Sequence, residues 1–145
     1  LELACRSEPS VPRALVGDYG RLRQILVNLI GNAIKFTEQG EVVAAVRCEQ
    51  SPGDGALLHF TIRDTGIGIS EEDLPHIFRR LYRSEMSRSE AGFGLGLSLA
   101  LAIAKAHGGN IDVSSTLGKG SRFTVTLAQN AGVTPPIASG GRTAR

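Results

Sequence analysis

The sequence predicts a single α/β domain, and three observations carry that prediction. From Asp18 to about Thr37, the apolar residues Leu22, Ile25, Leu26, Leu29, Ile30, Ala33 and Ile34 alternate at spacings of three and one. That is the stripe of an amphipathic helix. Residues 41–49, 56–64 and 111–127 alternate with period two, as half-buried strands do. Between these strands, an apolar, alanine-rich stretch over residues 94–107 reads as a second helix. A chain of 145 residues, 41% hydrophobic and 21% charged, is long enough for one domain with a real core.

Composition excludes several classes. A net charge of +2 is too small to argue for nucleic acid. No apolar run approaches the ~18–20 residues that span a bilayer, so no membrane contact by this domain is expected. The chain opens on Leu1 rather than Met, and a fragment of a longer protein is expected; the parent's own anchoring is left open. The two cysteines, Cys5 and Cys48, form no CxxC, so a reducing, cytoplasmic setting fits best. Cys48 has core parity on its strand and is expected to be a small buried hydrophobe.

Residues 1–17 hold Pro9 and Pro12 and are expected to enter the domain as an edge strand. Asp18 supplies the cap of the first helix, and Gly40 is expected to end it. On the helix's polar face Asn28, Asn32 and Lys35 sit at i, i+4 and i+7, one stacked row. A solvated face would satisfy the row. Asparagine is a mediocre helix former, however, and its amide oxygen can ligate Mg²⁺ while a lysine meets phosphate. Val42, Ala44, Val46 and Cys48 share one face of the next strand. Ser51–Gly55 is a turn, and Leu58, Phe60 and Ile62 face inward on the strand after it. Their parity continues to Asp64. A carboxylate there either caps the following turn or meets a donor such as the exocyclic amine of a base.

Ser70-Glu-Glu-Asp73 reads as a helix start broken or set by Pro75, with Ile77, Phe78 and Leu81 as its apolar contacts. Tyr82 to Ala91 is charged and aperiodic, either a surface loop or a lid. In the helix over 94–107, Leu95, Leu99, Ala102, Ile103 and Ala106 fit one face, and His107-Gly-Gly109 stops it. His107 is expected to contact a helix-end carbonyl, and His59 and His76 to be structural. Ile111 and Val113, then Phe123, Val125 and Leu127, line two strands joined by Leu117–Gly120. Ser121 shares the inward parity and serves either a backbone bond or a ligand. Residues 1–128 are expected to form the domain and 129–145 a flexible linker or tail.

Two glycine clusters remain, Asp64-Thr-Gly-Ile-Gly68 and Gly92-Phe-Gly-Leu-Gly-Leu97, framing the aperiodic segment. Glycines let backbone N–H groups approach phosphate oxygens, and a helix N-terminus follows the second cluster. Neither a P-loop nor a dinucleotide fingerprint is present. At this point the chain resembles the catalytic ATP-binding domain of sensor histidine kinases, within the wider gyrase, chaperone, kinase and mismatch-repair ATPase superfamily. The resemblance covers about residues 10–128. Asn28-Leu-Ile-Gly-Asn-Ala-Ile-Lys-Phe36 is similar to the N box, the two glycine clusters to the glycine boxes, and Ile77-Phe-Arg-Arg-Leu-Tyr82 to the F box. Gly118-Lys-Gly-Ser-Arg-Phe123 is similar to the closing Gly-x-Gly element.

The resemblance implies a two-layer α/β sandwich (the Bergerat fold), with a mixed, mainly antiparallel sheet under three helices and a flexible ATP lid. It implies ATP and Mg²⁺ as ligands. Asp64 would take the adenine amine, supported by Ser121, with Gly66 and Gly68 leaving room for base and ribose. Asn32 and Asn28 would hold Mg²⁺, Lys35 would hold phosphate, and Phe36 would stand by the nucleotide. Gly92, Gly94 and Gly96, with Leu95 and Leu97 in the same turn, would receive the phosphates. Tyr82 precedes Arg83, the implied lid arginine for the γ-phosphate. The implied partners are the dimerisation and histidine-phosphoacceptor domain of the same protein and a downstream response-regulator receiver domain.

ATP-hydrolysing relatives carry Glu where Asn28 stands. An amide is no general base, so transfer is favoured over hydrolysis. Leu81 departs from the F box, which usually has an aromatic there. None of His59, His76 and His107 lies in an acceptor-like helix, so the chain alone is expected to bind ATP without phosphorylating itself. The alternatives are a serine kinase of the anti-sigma type, a non-catalytic nucleotide-gated binding module and, least favoured, an ATP hydrolase.

Overall fold

The period-two stretches pair into one five-stranded sheet. The computed structural model describes residues 1–50, 55–89 and 92–129. The strands are β1 (Glu2–Ser7), β2 (Glu41–Gln50), β3 (Ala56–Asp64), β4 (Asn110–Thr116) and β5 (Gly120–Gln129), in spatial order β1-β2-β3-β5-β4. β1 runs parallel to β2 and every other neighbouring pair is antiparallel, giving the mixed sheet expected. β1 is exposed along its whole length, an edge strand.

Helix α1 (Tyr19–Lys35) and helix α2 (Gly96–Ala106) supply the second layer. The core joins Ile25, Leu29 and Ala33 of α1 to Ala100, Ile103 and Ala104 of α2 and to Val42, Ile62, Ile111, Phe123 and Val125 of the sheet. Each fully buried aliphatic side chain, such as Leu29 at 1% exposure, contributes about 1.5–3 kcal/mol. Asp18 caps α1 by accepting the Arg21 N–H at 3.1 Å. The helix stops at Lys35, before Gly40. Gly40, with φ of +122°, instead lies beside the start of β2.

Four expectations need correction. Ser70 does start a turn, accepting the Asp73 N–H on its hydroxyl and the Leu74 N–H on its carbonyl. No regular helix follows, because Pro75 sits inside it; one 3₁₀ turn over Leu74–His76 forms instead. Leu81 is no core contact: its side chain is 67% exposed and its φ is +64°. The buried face of α2 is Ala100, Ile103 and Ala104, while Leu95, Leu99, Ala102 and Ala106 are exposed. α2 is apolar almost all round, so periodicity did not choose its face. Cys48 is half-buried, because burial fades along β2 from Val42 toward exposed Glu49 and Gln50.

The first strands and helices thus place the end of α1, the end of β3 and the start of α2 side by side. Residues 51–54, most of the expected Ser51–Gly55 turn, lie outside the described residues, as do Glu90, Ala91 and the expected tail from 130 onward. Gln129 is the last residue of β5, and its side-chain amide donates to the Val16 carbonyl at 2.8 Å.

Candidate nucleotide site

A cleft of about 490 Å³ opens between α1, the end of β3, the start of α2 and residues 82–93. That volume suits a ligand of nucleotide size. Every site residue expected from the sequence lines it except Gly66. Gly66 lies against the protein's own backbone: a Cβ there would sit 2.2 Å from the Phe36 carbonyl oxygen. Gly68, with φ of +71°, lines the cleft and also passes close to the Thr116 carbonyl, which a Cβ would meet at 2.1 Å.

At the floor, Asp64 is 7% exposed at the end of β3. Its Oδ1 accepts the Gly66 N–H at 2.9 Å and the Ser121 N–H at 3.3 Å. No group among the described residues donates to Oδ2. Oδ1 thus caps the turn, as one sequence reading has it, and Oδ2 is left without a donor among the described residues. Burial pushes the carboxyl above its ordinary pKa, and the two amide bonds pull part of the way back. Ser121, 8% exposed, meets Ser115 Oγ at 2.9 Å.

At the other end, the polar row of α1 faces α2. A Cβ on Gly96 would lie 3.4 Å from Asn28 Oδ1, and one on Gly92 3.3 Å from Lys35 Nζ. Two members of the row, Asn28 and Lys35, therefore lie beside the second glycine cluster. Lys35 Nζ also lies 5.0 Å from the centre of the Phe36 ring, a cation–π contact. Among the described residues the buried Nδ2 of Asn28 has no hydrogen-bond partner. A buried amide left unsatisfied is costly, and this one lines a cleft where a phosphate oxygen could accept from it. Turned over, the same amide would present its oxygen to a cation. Among the described residues no three His, Cys, Asp or Glu cluster as a metal cage. Asn28 and Asn32 line the cleft with neutral amides, whose oxygens would suit a hard cation that arrives with its own phosphates.

Leu81 and Gly94 tie together the chain on the two sides of residues 82–93, of which 82–89 and 92–93 are described. The Leu81 N–H donates to the Gly94 carbonyl at 2.9 Å. Gly94, with φ of +71°, packs so closely that a Cβ would lie 2.8 Å from the Tyr82 carbonyl, which only glycine allows. The Tyr82 hydroxyl donates to Asp73 Oδ1, and Ser70 Oγ donates to Asp73 Oδ2 at 2.8 Å. These hydrogen bonds, Tyr82 first, hold the Asp73 carboxyl below its ordinary pKa. Arg83 spans the segment, donating to the carbonyls of Gly92 at 2.9 Å and Ser87 at 2.5 Å. Ser70, Asp73 and Ser115 were not singled out in the sequence; Ser70 and Asp73 had read only as a helix start. His107 bonds the Ile103 carbonyl through Nδ1 at 2.9 Å, the helix-end contact expected.

A family model described as histidine kinase-, DNA gyrase B- and HSP90-like ATPase matches residues 17–131. The chain belongs to this ATPase family. The match takes in α1, both glycine clusters and β5, the parts that build the cleft. Within the family, the chain is 42% identical over 129 residues to the sensor histidine kinase GacS of Pseudomonas protegens, covering 88% of this chain. It is 44% identical over 125 residues to the aerobic respiration control sensor protein ArcB of Escherichia coli, covering 83%. The chain spans only 14% and 16% of those two proteins. A crystal structure of full-length ShkA in complex with AMPPNP superimposes with a TM-score of 0.73 at 33% identity, covering 90% of this chain and 26% of that one. Among the described residues no helix is long and apolar enough to cross a membrane.

Proposed function

We propose that this chain binds Mg-ATP in the cleft and delivers the γ-phosphoryl group to a histidine on a separate dimerisation and phosphoacceptor domain, in two-component signalling. The observation that carries the proposal is the opposite chemistry of the cleft's two ends. The floor offers the free Asp64 oxygen to an amine. The mouth offers an ammonium, an unsatisfied amide and the N-terminus of α2 to anions. The sequence similarity to named sensor histidine kinases supports the same reading.

Asp64 Oδ2 accepts the adenine amine and Ser121 backs it. Phe36 and Gly68 flank the nucleotide. The backbone of Gly92, Gly94, Leu95, Gly96 and Leu97 receives the phosphates, and Lys35 neutralises them. Asn28 and Asn32 would hold Mg²⁺, which would offset the charge of the phosphates. Tyr82 orients the start of the lid and Arg83 meets the γ-phosphate. The acceptor imidazole nitrogen attacks phosphorus; an N–P bond forms, the P–O bond to ADP breaks, and ADP keeps that electron pair. Asn28 activates no water, so the residues here position and stabilise rather than hydrolyse. The downstream partner is a response-regulator receiver domain.

The test joins this chain to a phosphoacceptor helix pair and supplies Mg²⁺ and γ-labelled ATP. Acid-labile, base-stable protein label is expected. Acid-stable label would replace the reading with a serine kinase. Binding of ATP without label would replace it with a nucleotide-gated binding module.

A further inference from the structure

Three hydrogen-bond contacts converge on Ser115 of β4. Its Oγ accepts the Ile69 N–H at 2.8 Å, lies 2.9 Å from the Gly120 carbonyl oxygen and lies 2.9 Å from Ser121 Oγ. Hydroxyl hydrogens are invisible to most methods, but counting assigns these. The first contact uses the amide's hydrogen. A carbonyl oxygen has none, so the second contact must use the Ser115 hydrogen. Nothing of Ser115 remains to give, and the third contact must therefore use the hydrogen of Ser121. The reverse arrangement would leave Ser115 Oγ and the Gly120 oxygen as two acceptors facing each other at 2.9 Å.

The consequence is that Ser121 turns only lone pairs toward the cleft it lines. Beside it, Asp64 Oδ1 is occupied by two backbone N–H groups, and Oδ2 is also an acceptor. These two side chains thus present only acceptors to the cleft. We infer that Ser115, outside the cleft lining, is a specificity-determining residue: by taking the Ser121 proton it makes the floor select a base edge that carries an amino group and reject one that carries a carbonyl. This role rests on the nucleotide site proposed above. Ser115 acts through Ser121 and is a positioning residue, touching no ligand itself. It also ties the first glycine cluster to the β4–β5 turn through Ile69, so its loss has a structural effect that the test must separate.

The experiment is calorimetric titration of the 145-residue chain with ADP, with IDP, which has a carbonyl at the same place, and with purine riboside diphosphate, which has neither group. For the wild type the expected order is ADP tightest and IDP weakest. In Ser115→Ala the Ser121 hydroxyl is free to turn and donate to a carbonyl, and the ADP-to-IDP affinity ratio should fall about tenfold, the effect of one hydrogen bond. Ser115→Thr restores the hydroxyl and should restore the ratio. Equal weakening of ADP and IDP in Ser115→Ala, with the ratio kept, would overturn the inference and leave Ser115 as a loop staple. If Ser115→Ala does not fold, the wild type decides alone: IDP binding more tightly than purine riboside diphosphate would mean that Ser121 donates into the cleft. Failure of the wild type to bind ADP at all would instead refute the nucleotide site itself.

Discussion

Replacing Asp64 with asparagine tests the floor of the cleft most directly. The two backbone N–H groups that now bond Oδ1 can bond the asparagine oxygen in the same geometry, without the charge assistance. The change is concentrated on the other atom, where an acceptor becomes an NH₂ donor facing the place proposed for the adenine amine. A charge-assisted hydrogen bond of about 1.5–3 kcal/mol is lost, and an unpaired donor adds about 1–3 kcal/mol. ADP affinity should therefore fall by about two orders of magnitude or more. The fold should survive. Burial raises the folded-state pKa of Asp64 above its unfolded value, so its contribution to stability is fully present below the unfolded pKa and is lost as pH rises through the folded one. At neutral pH the wild type carries the cost of a buried charge and Asp64→Asn does not. The variant's ligand-free melting temperature at pH 7 should equal or exceed the wild type's. Calorimetry gives the affinity and thermal denaturation the stability. An ADP Kd within about threefold of wild type would refute the adenine assignment, and a collapsed melting temperature would refute the claim that Oδ1 keeps its partners.

Arg83→Ala should slow phosphoryl transfer to an acceptor domain about 100-fold while leaving the ADP Kd within about threefold, because the γ-phosphate is its proposed partner. Single-turnover labelling beside ADP calorimetry separates the two, and equal losses would point to collapse of the segment it spans. Tyr82→Phe removes the main cause of the lowered Asp73 pKa. A lowered folded-state pKa contributes stability above the unfolded value and loses it as pH falls through the folded one. The wild type should thus be more stable than Tyr82→Phe at pH 7, with the gap closing below about pH 4. Urea titrations across that range measure it, and a gap independent of pH would sink the assignment.

Much of this molecule was legible in the sequence, for identifiable reasons. The α1 stripe and the parity of β3 follow from periods that admit only one buried face, and parity alone carried Asp64 to the cleft floor. The row of Asn28, Asn32 and Lys35 was readable because helical spacing fixes which residues stack. α2 was misread because leucine and alanine populate every side of it, and only the small Ala100 and Ala104 allow the close contact with α1 and the sheet. The role of Gly66 depends on the nearness of the Phe36 carbonyl, a contact between segments that no local pattern encodes. Ser115 was invisible for the same reason: sheet pairing brings residues 120 and 121 to it, and the loop after β3 brings Ile69.

The stitch between the Leu81 amide and the Gly94 carbonyl has a consequence for how this family can vary. It ties the chain just before Tyr82 to the chain just after Phe93, independently of what lies between them. Doubling the length of such a closed segment costs only about 0.6 kcal/mol in chain entropy. Insertions and deletions there are thermodynamically cheap, while a single substitution at Gly94 is not. Length is therefore the variable that can change here at small thermodynamic cost.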